Sequence, residues 1–124
     1  MALDPVKNFA IVTLSTGYAS GVTSVALSGG DGAKLPAPAS DGAFNLVWYN
    51  STDYANPALD PNVEIVRCTA RSTDTLTITR AQEGTTDVNH NTGGKTYKMI
   101  LSITKKTVDD IRNNINPLLF QVFS

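Results

Sequence analysis

The sequence predicts a mainly β fold: a small antiparallel β-sandwich or barrel-like domain over residues 1–103, then a short C-terminal α-helix and an apolar tail over residues 104–124. Three observations predict it. Short runs of β-branched and aromatic residues alternate in polarity and are separated by clusters of Gly, Pro, Asn, Asp and Ser. A spacing of three and four between apolar residues begins only after Thr104. Charged residues make up 17% of the chain, and Thr, Ser, Asn and Gly are plentiful, a balance that suits strands and turns. A chain of 124 residues can bury a core as one unit without metal or disulfide staples.

Phe9 to Ser15 (FAIVTLS) reads as a first strand, followed by the turn formers Gly17, Ser20 and Gly21. Thr23 to Ser28 (TSVALS) alternates, with Val25 and Leu27 on one face, and reads as a short second strand. Gly29-Gly30-Asp31-Gly32 supplies positions that accept positive φ, and Pro36 and Pro38 cannot donate to a ladder, so residues 29–41 read as loop or irregular edge. Phe44 to Tyr49 (FNLVWY) puts Phe44, Leu46 and Trp48 on one face, with Trp48 as core anchor.

Asn50 to Pro61 is polar and holds two prolines, which predicts a long surface loop. Asn62 to Ala70 (NVEIVRCTA) and Thr75 to Arg80 (TLTITR) read as the arms of an antiparallel hairpin, Leu76 and Ile78 facing inward and Thr75, Thr77 and Thr79 outward. Ala81 to Gly94 shows no apolar period and reads as a second exposed loop. Lys95 to Ile103 (KTYKMILSI) aligns Tyr97, Met99, Leu101 and Ile103 on one face and closes the sheet.

From Thr107 the pattern becomes helical, with Val108, Ile111 and Ile115 spaced three and four apart. Thr104 or Thr107 can serve as N-cap, and Asp109 and Asp110 are expected in the first turn, where the helix dipole favours negative charge. The apolar spacing continues to Leu118 and Val122, with β-branched residues at several seam positions, a pattern compatible with a parallel trimer. Val108, Ile111 and Ile115 are therefore the candidate self-association residues. Pro117 is expected to stop or kink the helix.

Catalytic chemistry has little to draw on. The one histidine, His90, has no second His or Cys at metal-ligand spacing and is expected to be an exposed loop residue. Asp31, Asp41, Asp53, Asp60 and Asp87 are scattered over loops and lack the ordered series of a calcium loop. Neither a phosphate-binding glycine loop nor a nucleophile elbow occurs, and Asn50-Ser51-Thr52 reads as a turn. No catalytic residue, metal or cofactor is expected, and no enzyme. A formal charge of -1 leaves no basic footprint for nucleic acid. The first residues lack a signal-peptide pattern, and no apolar stretch approaches the roughly 18–20 residues of a membrane span. Cys68, the single cysteine, excludes an internal disulfide and lies in an apolar run, where a buried, inert thiol is expected.

The C-terminal segment is the physical anomaly. Leu118, Leu119, Phe120, Val122 and Phe123 are five apolar residues within the seven from Leu118 to Ser124, where domains ordinarily fray into solvent. Either the tail folds back on its own sheet, or it docks on a partner by inserting into a groove or adding a strand. These five are the candidate docking residues.

Three stretches in order, Asp31-Gly32-Ala33-Lys34-Leu35-Pro36, Asn62-Val63-Glu64-Ile65-Val66-Arg67, and Asp74 to Thr85 (DTLTITRAQEGT), resemble a domain common in virion structural proteins of tailed bacteriophages, where it often forms the N-terminal part of tail fibres. The resemblance covers most of residues 15–88 and extends to Thr104–Ile111, where such proteins leave the β-domain for a helix. It implies a virion attachment module with no catalytic residues: a tail or baseplate adaptor that joins a fibre or other tail component to the particle. Its expected partners are other virion proteins and, through the helix seam, two further copies in a homotrimer. A capsid decoration or head-fibre base protein is the alternative within that class. From the residues alone a host-surface carbohydrate-binding module is a third reading, with Trp48, Tyr49, Tyr54 and Tyr18 available to stack on sugar rings beside the 50–61 loop.

Overall fold

The computed structural model describes residues 3–115. Six strands form one antiparallel sheet: β1 (Ile11–Thr13), β2 (Ser24–Ala26), β3 (Phe44–Asn50), β4 (Glu64–Ser72), β5 (Thr75–Gln82) and β6 (Tyr97–Ile100), in the order β1-β6-β3-β4-β5-β2. A short helix α1 (Pro38–Asp41) precedes β3, and helix α2 (Lys105–Asn113) follows β6. Mainly β with a short C-terminal helix is the class expected; the architecture is a curled half-barrel sheet. The curl brings its edges together where Leu14 and Leu27 form a bridge, flanked by bonds from the Ser15 amide to Ala26 O and from the Ser28 amide to Thr13 O. Two register shifts between β4 and β5 help bend the sheet.

Alternation decides which side becomes the core. Phe44, Leu46 and Trp48 of β3 point inward opposite Cys68, Val66 and Met99, and Val25 of β2 pairs with Leu76 of β5, all buried. Each large apolar side chain taken fully from water contributes roughly 1.5–3 kcal/mol. Cys68 sits in this core, and burial pushes its thiol up to about 11, well away from thiolate chemistry.

The hairpin forms as expected, with Leu76 and Ile78 buried and Thr75, Thr77 and Thr79 exposed. Other boundaries shift for physical reasons. β1 is only three residues long, because Phe9 takes φ 59° and leaves the ladder with its ring 96% exposed. β6 ends at Ile100, so Leu101 is only partly buried and Ile103 is 74% exposed. Pro38 pre-sets the first turn of α1 where a loop was expected.

The Gly29–Gly32 loop is held by carboxylates. Asp74 in the β4–β5 turn accepts from the amides of Gly30 at 3.1 Å and Gly32 at 2.8 Å, and Asp31 accepts from the Thr13 amide at 2.8 Å. A side chain at Gly32 would start 1.9 Å from Thr73 O, so this approach needs glycine.

α2 begins at Lys105 with Thr104 as N-cap, in a capping box completed by the Thr107 hydroxyl. The start lies earlier than the apolar pattern suggested, which moves Asp109 and Asp110 out of the first turn and corrects that expectation. Among the described residues no helix is long and apolar enough to cross a membrane.

Candidate interaction surface

α2 is anchored by its polar side. Glu83, just past β5, accepts from the Thr104 hydroxyl at 2.7 Å and from the Lys106 amide at 2.8 Å, while Asn45 of β3 donates to it at 2.8 Å. One turn along, Lys106 pairs with Asp110 and, at 3.3 Å, with Asp4. Asp4 is gripped by both arms of the Arg67 guanidinium at 2.9 and 3.0 Å, and Arg67 also donates to Asn45. Burial raises the Asp4 carboxyl, but bonds and charge from Arg67 and then Lys106 outweigh it and hold it below the ordinary carboxylate value. Glu83 is likewise held down: burial works against it, and Thr104, Asn45 and the Lys106 amide prevail.

The consequence for the apolar side is geometric. Successive helical residues turn by about 100°, so Lys106 and Asp110 lie about 40° apart, and Val108 and Ile111 lie about 140–200° from Lys106, with Ile115 two residues past the end of α2 at Asn113. The three are 45%, 49% and 38% exposed, while Asp110 is 8% exposed. An amphipathic helix on a globular protein ordinarily turns its apolar stripe to the core. Here the ion-paired side faces the body and the apolar row faces solvent, which leaves that row available to another surface. Of the predicted docking residues, Leu118, Leu119, Phe120, Val122 and Phe123 lie outside the described residues, as does Pro117.

The outer side of the sheet adds a second apolar feature. Ile11 is opposite Ile100, Ile100 opposite Val47, and Val47 opposite Ile65, a continuous β-branched row across β1, β6, β3 and β4 on the side away from the core.

Sequence reasoning missed the main polar cluster, and His90 is the correction: it is buried, at 0% exposure, not an exposed loop residue. Its ring stacks on Trp48 with centroids 4.0 Å apart, and its Nε2 lies 2.9 Å from Glu64 Oε1. Arg80 donates to both Glu64 oxygens at 2.9 Å, sits over the Trp48 ring, and donates to the carbonyls of Ala19, Val22 and Val88. Burial opposes the Glu64 charge, but His90, Arg80 and the Ala81 amide outweigh it and bring the carboxyl down to about 2. The carboxylate only accepts, so Nε2 of His90 carries the proton. The cluster is closed to solvent and pins the 19–22 and 87–90 segments to the sheet. A signal for it existed: Arg80 is in phase with Leu76 and Ile78, and Glu64 with Val66 and Cys68, so alternation alone directs both charges inward.

Of the aromatic residues considered for sugar stacking, Trp48 and Tyr49 are buried, and Tyr18 packs on the core with its hydroxyl accepting from the Ala26 amide. Tyr54, like Tyr18 only partly buried, lies beside a polar cavity of about 180 Å³ flanked by Asn50, Asp60, Asn62 and Asn89. Among the described residues no group of three His, Cys, Asp or Glu side chains is placed to hold a metal ion. No protein-family model matches the chain, and no curated protein matches it in sequence.

Proposed function

We propose that the chain is a structural adaptor of a tailed-bacteriophage virion, acting at the tail or baseplate as a homotrimer and joining a fibre or other tail component to the particle. The observation that carries the reading is the outward apolar pair Val108 and Ile111 on a helix clamped by its polar side, with the exposed Ile115 just past its end. Such a row is the seam of a self-associating helix, and its β-branched residues favour three strands over two when they occupy the seam positions. The ordered resemblance of residues 15–88 to phage attachment domains supplies the setting. Light scattering on the purified chain is the test: a mass three times that of the chain is expected, falling to one for Ile111→Asp. A wild-type monomer, together with virion assembly that proceeds unchanged after truncation at Ile115, removes the proposal. Electron microscopy of labelled virions separates the tail position from a capsid decoration or head-fibre base.

One observation favours a second reading. Tyr54 beside the Asn- and Asp-lined cavity is an arrangement that suits a sugar ring. A glycan panel tests it: binding lost on Tyr54→Ala supports a carbohydrate-binding module, and an empty panel retires it.

A further inference from the structure

We propose that the N-terminal arm is a clasp that keeps α2 helical, so that withdrawing Asp4 melts the helix while the β-domain stays folded. The inference deepens the self-association reading and rests on it for one consequence: the apolar seam of α2 exists only while the clasp is closed.

The helix has little stability of its own. α2 is nine residues long, and isolated helices shorter than about 12–15 residues are marginal in water. A helix in a globular protein gains most of its stability by packing its apolar face, yet Val108 and Ile111 are about half exposed. The capping box at Thr104 and the Asn114 side chain on Asp110 O satisfy terminal groups only. What remains is the polar tie to the domain.

That tie runs through two carboxylates. Glu83 holds the first turn, accepting from the Thr104 hydroxyl and the Lys106 amide, where the helix dipole favours an anion. Asp4 holds the side of the helix: its Oδ2 accepts from Lys106 at 3.3 Å and from Arg67 at 2.9 Å, and its Oδ1 accepts from Arg67 at 3.0 Å. Among the described residues Asp4 is the one side chain bonded to both the cation of the sheet and the cation of the helix. Beside these ties lies a space of about 460 Å³, lined by Glu83 and Gly84 on the domain and by Lys105, Lys106, Asp109 and Asp110 on α2. The helix is thus tethered across a gap by charge, with no packed apolar seam beneath it.

Asp4 itself sits outside the sheet. Residues 3–9 form no strand or helix, and Leu3, Val6, Lys7, Asn8 and Phe9 are exposed. Besides Asp4, the side chain that ties the arm down is Lys7, which donates to Ala33 O at 2.9 Å. The arm can therefore lift without breaking a strand, and its loss is felt at the far end of the chain. A segment that orders or melts in response to a distant contact is a recurrent form of switch.

The experiment is hydrogen exchange read by mass spectrometry on the full chain carrying Ile111→Ser, a change that keeps association from protecting the helix and leaves helix propensity nearly the same. Adding Asp4→Asn is expected to speed exchange over residues 108–113 at least fivefold and to leave β3, β4 and β5 unchanged. The effect of Asp4→Asn should shrink once Lys106→Gln is present, the mark of a shared contact. Exchange indifferent to Asp4→Asn overturns the proposal, as does a loss of protection spread over β3 to β5, or an effect undiminished by Lys106→Gln. Light scattering with the native Ile111 keeps the two readings apart. Asp4→Asn should raise the concentration of half-association at least fivefold, and an associated species indifferent to it overturns the clasp alone. A chain that never associates removes the adaptor proposal and leaves the clasp to be decided by exchange.

Discussion

Asp110 and Ile111 are neighbours in the chain and opposites in environment: the carboxylate is buried against Lys106, and the isoleucine is 49% exposed. The helix is therefore held to its domain by charge and displays what a core would normally absorb.

Ile111 is about half exposed, so replacing it by Asp removes little intramolecular apolar packing. Chemical unfolding is expected to shift by no more than about 0.5–1 kcal/mol, as for an exposed helical position, while the associated species dissociates. A loss of several kcal/mol with the assembly intact would mean that Ile111 belongs to a core.

Glu64 is the charge that Arg80 and His90 share. Glu64→Ala removes the buried counter-charge of Arg80 and leaves its guanidinium only the partly exposed Asp87 carboxylate at 3.0 Å, and breaking a buried pair from one side costs about 3–5 kcal/mol. Urea unfolding should show that loss, and the amides of residues 87–90 should lose hydrogen-exchange protection with it. A change below 1 kcal/mol would show that the pair is dispensable.

Acid should reach the same cluster. The Glu64 carboxyl is about 2 in the fold against 4.5 in its ordinary state, so the folded form holds fewer protons between those values. Its stabilisation is complete above about pH 4.5 and is lost as pH falls toward 2, on the order of 3 kcal/mol in all. Asp4, Asp31, Asp74 and Glu83 are lowered in the same direction and add to the slope. Unfolding free energies measured from pH 6 to pH 2 should therefore fall monotonically, and Glu64→Gln should flatten the curve. An unchanged slope in that variant assigns the acid sensitivity to the other carboxylates.

Gly32 and Gly29 make a matched pair of substitutions. Gly32→Ala forces a methyl toward Thr73 O, which lies 1.9 Å from the ideal Cβ position, whereas Gly29 has nothing within 4 Å. The first should cost at least 1–3 kcal/mol, in the range of overpacked sites, and the second about nothing. Thermal melts of the two variants side by side check this, and equal melts would mean that the loop moves away freely.

The strands were legible wherever one face had to be apolar. FNLVWY and TLTIT alternate because one side of each meets the core and the other meets solvent or a neighbour, and a period of two can be read without a structure. The helix was legible from the three-and-four spacing of Val108, Ile111 and Ile115, although that apolar side faces solvent and the helix ends at Asn113. The strand ends at Phe9 and Ile100 were not, because φ at Phe9 and the turn toward Thr104 answer to neighbours distant in sequence. Asp31 looked like an ordinary loop residue until the loop that it and Asp74 hold was in place.

By itself the sequence determined the period of each segment, and with it the β class, the inward set of side chains and an amphipathic C-terminal helix. Periodicity is a local property of the chain. Only the tertiary structure decided which way that helix turns and where His90 goes. A helix can dock by either side, and the choice fell to Glu83, Asp4 and Arg67, which the fold gathers from separate parts of the chain. His90 is buried because Trp48, Glu64 and Arg80 meet over it, a match of stacking and charge that no window of neighbouring residues contains.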